Sequence, residues 1–344
     1  MFCAPPPHPV MVAAQSRRHG GKESFGDLQL LVFALLWLSS HRRAEAEAPR
    51  RFPHNIELPT GPEARMQEPM LTRIVDELAD VPGLGAIALG GSRARGTASA
   101  GSDYDIGLYI ARGAALDVTA LRTAVRRLVG QSRPVELTEV GGWGRWIVGG
   151  GRLQIDGVKV DLLYRPIDAV DRVIDDCRNG QIDIDYQPGH PHGFVSAIWM
   201  GEVALCRVLH DPTLQLAELK ARCTPYPPRL ATAIIARFQW EIGFSIDNAA
   251  LAVARGDRTH IAGCAYRALA CAAQVLFARN ARYLINEKAA LAEAATLPLT
   301  VNDLMARVEL IWQAIGSGAL SAAIDGLRAL GTDLTRLTPR DAPD

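Results

Sequence analysis

The sequence predicts an α+β chain, in which a mixed β-sheet flanked by helices over residues 66–222 is followed by an all-α helical bundle over residues 223–344. Three observations carry this reading. Short apolar runs bounded by glycine alternate with amphipathic helical stretches up to about residue 211. The proline-rich run Cys223-Thr224-Pro225-Tyr226-Pro227-Pro228 then interrupts the pattern and marks a linker. Beyond it, apolar residues recur only at three- and four-residue spacing, the period of a helix face.

Each element follows from its local pattern. Leu71, Ile74, Val75, Leu78 and Val81 give a first helix one apolar side. Ala86, Ile87, Ala88 and Leu89 read as a buried strand that runs into Gly90, Gly91 and Ser92, and residues 102–110 alternate like a half-buried strand. A helix over 116–129 carries Leu121, Ala124, Val125 and Leu128 on one side, and residues 134–140 read as a third strand. Residues 153–164 form a hairpin turning at Asp156-Gly157, with Lys159, Asp161 and Leu163 on one face and Val158, Val160 and Leu162 on the other. A helix over 167–177, a loop over 187–193 and a helix over 193–209 complete the first part. The bundle helices fall at 230–254, 259–279, 301–316 and 320–337.

A chain of 344 residues is long enough for two domains with ample core. Its 37 Lys and Arg balance 37 Asp and Glu, so no overall field draws it to nucleic acid, and no stable membrane association is expected. The six cysteines lack CxxC pairing and zinc-finger spacing and read as reduced thiols, which points to a cytoplasmic protein. Residues 1–65, with Pro5-Pro6-Pro7, an apolar stretch over 28–38 and an Arg/Glu/Ala run, read as a disordered or non-native extension, with Met66 or Met70 as the start.

The chemistry concentrates in residues 88–110. Asp103 and Asp105 lie two apart on one strand and share a face, and two same-face carboxylates repel unless a cation lies between them. Mg²⁺ carried by a nucleoside triphosphate suits such a pair, because phosphates complete its oxygen coordination. The missing and short side chains of Gly90, Gly91 and Ser92 leave backbone N–H groups open to an anion. A second acidic pair, Asp183 and Asp185, has no such turn ahead of it and reads as a decoy. Trp143 and Trp146 read as cover for a core edge, with stacking on a nucleotide base as the alternative, and His190 and His192 as packed loop residues rather than metal ligands, with contact to the acceptor substrate as the alternative.

Through Gly91-Ser92, the following loop and Asp103-Tyr104-Asp105, the chain resembles the DNA polymerase β-like nucleotidyltransferase superfamily, in its bacterial minimal and kanamycin nucleotidyltransferase-like branch with a C-terminal helical domain. The resemblance implies a nucleotidyltransferase fold and a third acidic residue on a later strand, for which Asp161 is the match. It implies two Mg²⁺ ions on Asp103, Asp105 and Asp161, with an NTP, ATP in the first instance, as co-substrate. Gly91, Ser92, Arg93 and Arg95 would bind the nucleotide, joined from the helical domain by Lys288. The implied reaction moves an NMP to a hydroxyl on a small molecule such as an aminoglycoside, or on a protein. A catalytically silent antitoxin-type protein and a tRNA-modifying enzyme are the alternatives. Arg255 and His260 have the Arg-x4-His spacing of an RNase motif but fall at an interhelix break.

Overall fold

The structure, a computed structural model, describes residues 62–99, 101–130 and 135–338. Helix α1 (Pro62–Leu78) forms on the expected apolar stripe, with Leu71, Ile74 and Leu78 buried. It already runs through Met66; residues 1–61, on which most of the expectation of an extension falls, lie outside the described residues. Strand β1 (Leu84–Leu89) is buried from its second residue and leads into the one-turn helix α2 (Gly91–Ala94). In β2 (Tyr104–Ile110), Tyr104, Ile106 and Leu108 are buried while Asp105 and Gly107 are only partly covered, the alternation of a strand with one face in the core. Helix α3 (Val118–Val129) is capped by Asp117, whose carboxylate accepts from Ala120 N at 2.8 Å.

Strands β3 (Gly150–Ile155) and β4 (Val158–Pro166) form the expected hairpin, in which Asp156 and Gly157 take φ of 51° and 85°, the paired left-handed turn that matches sheet twist. After α4 (Ile167–Arg178) come β5 (Ile184–Gln187), β6 (His190–Val195), α5 (Ala197–Leu205), β7 (Arg207–His210) and α6 (Gln215–Arg222). The main sheet runs β3-β4-β2-β1-β7; β2 and β4 are parallel and every other pairing is antiparallel. Strands β5 and β6 pair only with each other.

Three local expectations need correction. The third strand expected at 134–140 reduces, over its described residues, to a single bridge from Leu137 to Gly151. Its would-be partner passes through Gly149 and Gly150, at φ of 150° and 151°; Thr138 N donates to the Gly150 carbonyl at 2.9 Å, its hydroxyl accepts from Gly150 N at 3.0 Å, and Gly141 N donates to the Val148 carbonyl at 2.6 Å. Residues 187–193 are not a loop but the closed end of the β5-β6 hairpin, where Gly189 at φ 89° makes the turn. The helix expected over 193–209 stops at Leu205. There Lys220 Nζ donates to the carbonyls of Val203, Ala204 and Cys206, capping the helix from outside and releasing the chain into edge strand β7.

The C-terminal part is helical as expected, with α7 (Pro228–Ala252), α8 (Arg258–Arg279), the short α9 (Ala290–Ala294), α10 (Leu304–Ser317) and α11 (Leu320–Leu337). α8 is long and apolar enough to cross a membrane, but 67% of its apolar window is buried inside the protein, which makes it the core helix of this part. The stretch over 223–228 is packed rather than free: Tyr226 lies against Tyr283 with 4.7 Å between ring centroids, and Tyr283 Oη donates to the Cys223 carbonyl at 2.8 Å. The described residues form one compact unit.

Candidate active site

Parallel pairing of β2 with β4 sets Asp105 directly opposite Asp161. Asp103 lies two residues ahead of Asp105, just before the strand, so all three carboxylates fall on the face that the buried residues of β2 and β4 leave free. The Gly-Ser turn is folded onto this face. Gly90 N donates to the Asp105 carbonyl at 2.7 Å, and Gly91 sits at φ +61° where a Cβ would lie 1.8 Å from Asp105 Oδ2. Glycine is required here both by the left-handed backbone and by the carboxylate pressed against it.

The loop between turn and strand is held by its own arginine. Arg93 donates through Nε and Nη2 to the Ser102 carbonyl at 3.1 and 2.6 Å, and its guanidinium lies 3.9 Å from the centroid of the Tyr104 ring. Thr97 N donates to the Ser92 carbonyl at 3.0 Å, which closes the turn on itself. Arg95, the C-cap of α2, reaches away from the turn to Glu293 on α9, with 3.0 Å between Nη1 and Oε2. The two arginines that the sequence places with the nucleotide are thus engaged by protein groups on either side of the turn.

Electrostatics single out Asp105. Burial first, then the charges of Asp161, Glu202 and Asp103, lift its pKa from 3.8 to about 6, while Lys288 pulls it down. Burial also raises Asp161, with Asp103 adding and with Arg152, Lys159 and Lys288 opposing. Lys288, exposed at the end of the segment that follows α8, therefore acts on both carboxyls across the joint between the two parts of the chain.

Glu202 is a site residue that the sequence reading missed. Its carboxylate accepts from Arg165 Nε and Nη2 at 2.7 and 2.9 Å, and Arg165 is only 4% exposed. The available signal was Arg165 itself, an arginine on the Asp161 face of β4 directly after the apolar run Leu162-Leu163-Tyr164, which needs an acidic partner to be buried.

Among the described residues, no group of three or more His, Cys, Asp or Glu side chains could hold a metal ion unaided. The donor set fits a different case. Hard carboxylate oxygens on adjacent strands, one with its proton affinity raised by burial and like charge, suit a divalent cation that brings phosphate oxygens as its other ligands.

The remaining candidates have structural tasks. Asp183 and Asp185 are forked by Arg145 at 2.6 and 3.0 Å, and Asp185 also accepts from Trp146 Nε1 at 2.6 Å, so the decoy pair is engaged by protein groups. Trp146 is buried, stacked on Phe194 at 5.4 Å and edge-on to Trp199. His192 is buried against Arg267, and burial pushes its pKa down to about 4, so it is neutral at physiological pH. His190 pairs with Glu287. Cys177, Cys206, Cys223, Cys264 and Cys271 are free, and burial pushes the Cys177 and Cys223 thiols up to about 12, out of the reactive range. His260 Nε2 lies 3.5 Å from Cys264 Sγ, one turn along its own helix, and the Asp257 carboxylate caps the break before it.

The site is thus a mixed sheet carrying opposed carboxylates on parallel strands, with a Gly-Ser turn folded against one of them. The family described as "Nucleotidyltransferase domain" matches residues 71–180, a span that holds the turn, Asp103, Asp105 and Asp161. A domain of unknown function (DUF4037) matches residues 199–288, from α5 to Lys288. No curated protein matches the chain. Among solved structures, a nucleotidyltransferase-like protein from Exiguobacterium sibiricum 255-15 is similar at 12% identity over 81% of this chain and 82% of that one, with a TM-score of 0.38.

Proposed function

We propose that this chain transfers a nucleoside monophosphate, AMP from ATP in the first instance, to a hydroxyl acceptor and releases pyrophosphate, in the manner of the kanamycin nucleotidyltransferase-like branch. The supporting observation is the placement of Asp105 opposite Asp161 on parallel strands with Gly91 folded against Asp105 Oδ2. Two Mg²⁺ ions held by Asp103, Asp105 and Asp161 would supply the positive charge that stabilises attacking and leaving oxygens.

The chain's own residues do the rest. Gly91 and Ser92 offer backbone N–H groups to the phosphates from a turn that is already closed, so little reorganisation accompanies binding. Lys288 adds its ammonium to the triphosphate side. Arg93 and Arg95 serve the nucleotide through the shape of the turn, because Ser102 and Glu293 engage their guanidinium groups. Asp161, on the acceptor side, assists removal of the hydroxyl proton.

The acceptor is a small molecule such as an aminoglycoside, or a protein hydroxyl, and the site of action is the cytoplasm. Balanced charge supports this over an RNA acceptor, since neutralising phosphates calls for a cationic surface. Incubation with α-phosphate-labelled ATP, Mg²⁺, an aminoglycoside panel and a cell lysate tests the reading. Label is expected in the aminoglycoside or protein fraction. Label confined to RNA would overturn the acceptor class, and bound ATP with no label in any fraction would overturn the enzymatic reading in favour of a silent binding protein.

A further inference from the structure

Lys288 is the one lysine in residues 221–344, and the chain is pinned on both sides of it. Immediately before it, Glu287 Oε2 lies 3.0 Å from His190 Nδ1, with side chains only 16% and 14% exposed. The His190 ring meets Phe194 edge-on at 5.1 Å, and Phe194 is stacked on Trp146, so the hairpin end of this contact is set in the core. After Lys288, Ala289 at φ 58° turns the chain into α9, where Glu293 takes Arg95 at 3.0 Å. Arg95 is four residues beyond Gly91, the residue pressed against Asp105. The approach to Lys288 is seated too: Tyr283 and Ile285 pack on α5 at Gly201, where an added Cβ would come within 2.6 Å of Ile285 Cγ2 and 3.0 Å of Tyr283 Cβ.

A polar contact that merely docks one half of a chain on the other could lie anywhere along the seam. These two bracket a single long side chain whose freedom is costly to restrict. Fixing the backbone on both sides is the economical way to aim such a side chain, because the lysine then needs no partner of its own before the ligand arrives. Lys288 is exposed, and its charge acts on both Asp105 and Asp161.

We propose that the pairs of His190 with Glu287 and Arg95 with Glu293 are two clasps that hold Lys288 in place for the triphosphate, making these four side chains positioning residues of the transfer reaction. The proposal rests on the nucleotidyltransferase reading of the carboxylate site. It explains why Arg95, although it follows the signature turn, faces a glutamate instead of open space. It also gives the hairpin histidine a task that neither metal binding nor simple packing supplies.

The test is a pair of double-mutant cycles read by calorimetric titration of the full chain with ATP and Mg²⁺. Lys288→Met is expected to weaken ATP binding about tenfold, the range for a hydrogen bond to a charged group. His190→Gln and Glu293→Gln, neither of which removes a phosphate contact, are each expected to weaken it about threefold to tenfold, but less than about twofold in the Lys288→Met background. Glu293 is partly exposed, so Glu293→Gln keeps the test usable should His190→Gln fail to fold. Without nucleotide, amide exchange over residues 286–289 is expected to speed up in both clasp variants. Equal weakening in both backgrounds, no weakening in either, or unchanged exchange overturns the clasp. Wild-type protein that binds no ATP overturns the underlying nucleotidyltransferase reading and the clasp with it, an outcome distinct from ATP binding with additive cycles.

Discussion

Replacing Asp105 by Asn should make the metal-free protein more stable, in a manner set by pH. Burial and the neighbouring charges of Asp161, Glu202 and Asp103 raise the Asp105 pKa from 3.8 to about 6. A carboxyl whose folded pKa lies above its unfolded value works against folding once ionised. The penalty is absent below the unfolded pKa, grows as pH rises between the two values, and is complete above the folded one. At about 1.4 kcal/mol per pH unit the displacement corresponds to a ceiling of about 3 kcal/mol. With about 2 °C per kcal/mol for a folded unit of this size, Asp105→Asn should raise the melting temperature by about 4–6 °C near neutral or higher pH and leave it nearly unchanged in acid. Mg²⁺ should narrow the gap by stabilising the wild type more than the variant, since a ligand that binds only the folded state stabilises it. Thermal melts of both proteins in chelator, across that pH range and then with Mg²⁺ added, make the measurement. A variant less stable than wild type at pH 8, or a difference that ignores pH, would refute the placement of Asp105 in a buried acidic cluster.

Other substitutions separate the roles within the site. Gly91→Ala places a Cβ 1.8 Å from Asp105 Oδ2 on a backbone at φ +61°, and should cut transfer by at least about a hundredfold while lowering the melting temperature by a few degrees; wild-type turnover in this variant would show that the turn does not touch the reacting groups. Asp161→Asn should lower kcat by orders of magnitude and change ATP affinity only a few-fold, as steady-state kinetics and titration can tell apart. Collapse of affinity with turnover preserved would move Asp161 to the nucleotide side. Glu202→Gln leaves Arg165 buried without its counter-charge and should cost about 3–5 kcal/mol in denaturant melts. The same change removes one of the charges that raise Asp105, so the acidic limb of the activity profile should shift to lower pH; an unmoved limb would detach Glu202 from the site.

What the sequence disclosed, and what it hid, follows from the range of the forces involved. The turn, the alternation that brings Asp103 and Asp105 to one face, and the Asp156-Gly157 hairpin that presents Asp161 are all local, and each is legible as a period or a turn dipeptide. The bundle helices are legible for the same reason. Strand β7 is four residues of intermediate burial on each side, with no alternation to read; it becomes a strand only by lying along β1. Glu202 finds Arg165 across 37 residues, and Arg95 finds Glu293 across 198, so neither pairing leaves a trace in spacing. Arginine makes this worse, because next to a glycine-rich turn it looks like a phosphate ligand whether it meets a phosphate, a carbonyl like that of Ser102, or a glutamate. The contacts that hold His190 and His192 are hidden on the same grounds: their neighbours Glu287 and Arg267 lie 97 and 75 residues away along the chain.

The central claim is that the carboxylate site moves a nucleotidyl group and not a phosphoryl group. The most direct measurement compares ATP labelled at the α-phosphate with ATP labelled at the γ-phosphate under identical conditions with Mg²⁺, lysate and aminoglycosides. Attack at the α-phosphate should carry α-label to the acceptor and leave γ-label in pyrophosphate, and Asp105→Asn should abolish both signals. Transfer of γ-label to the acceptor, or α-label transfer that survives Asp105→Asn at the wild-type rate, would contradict it.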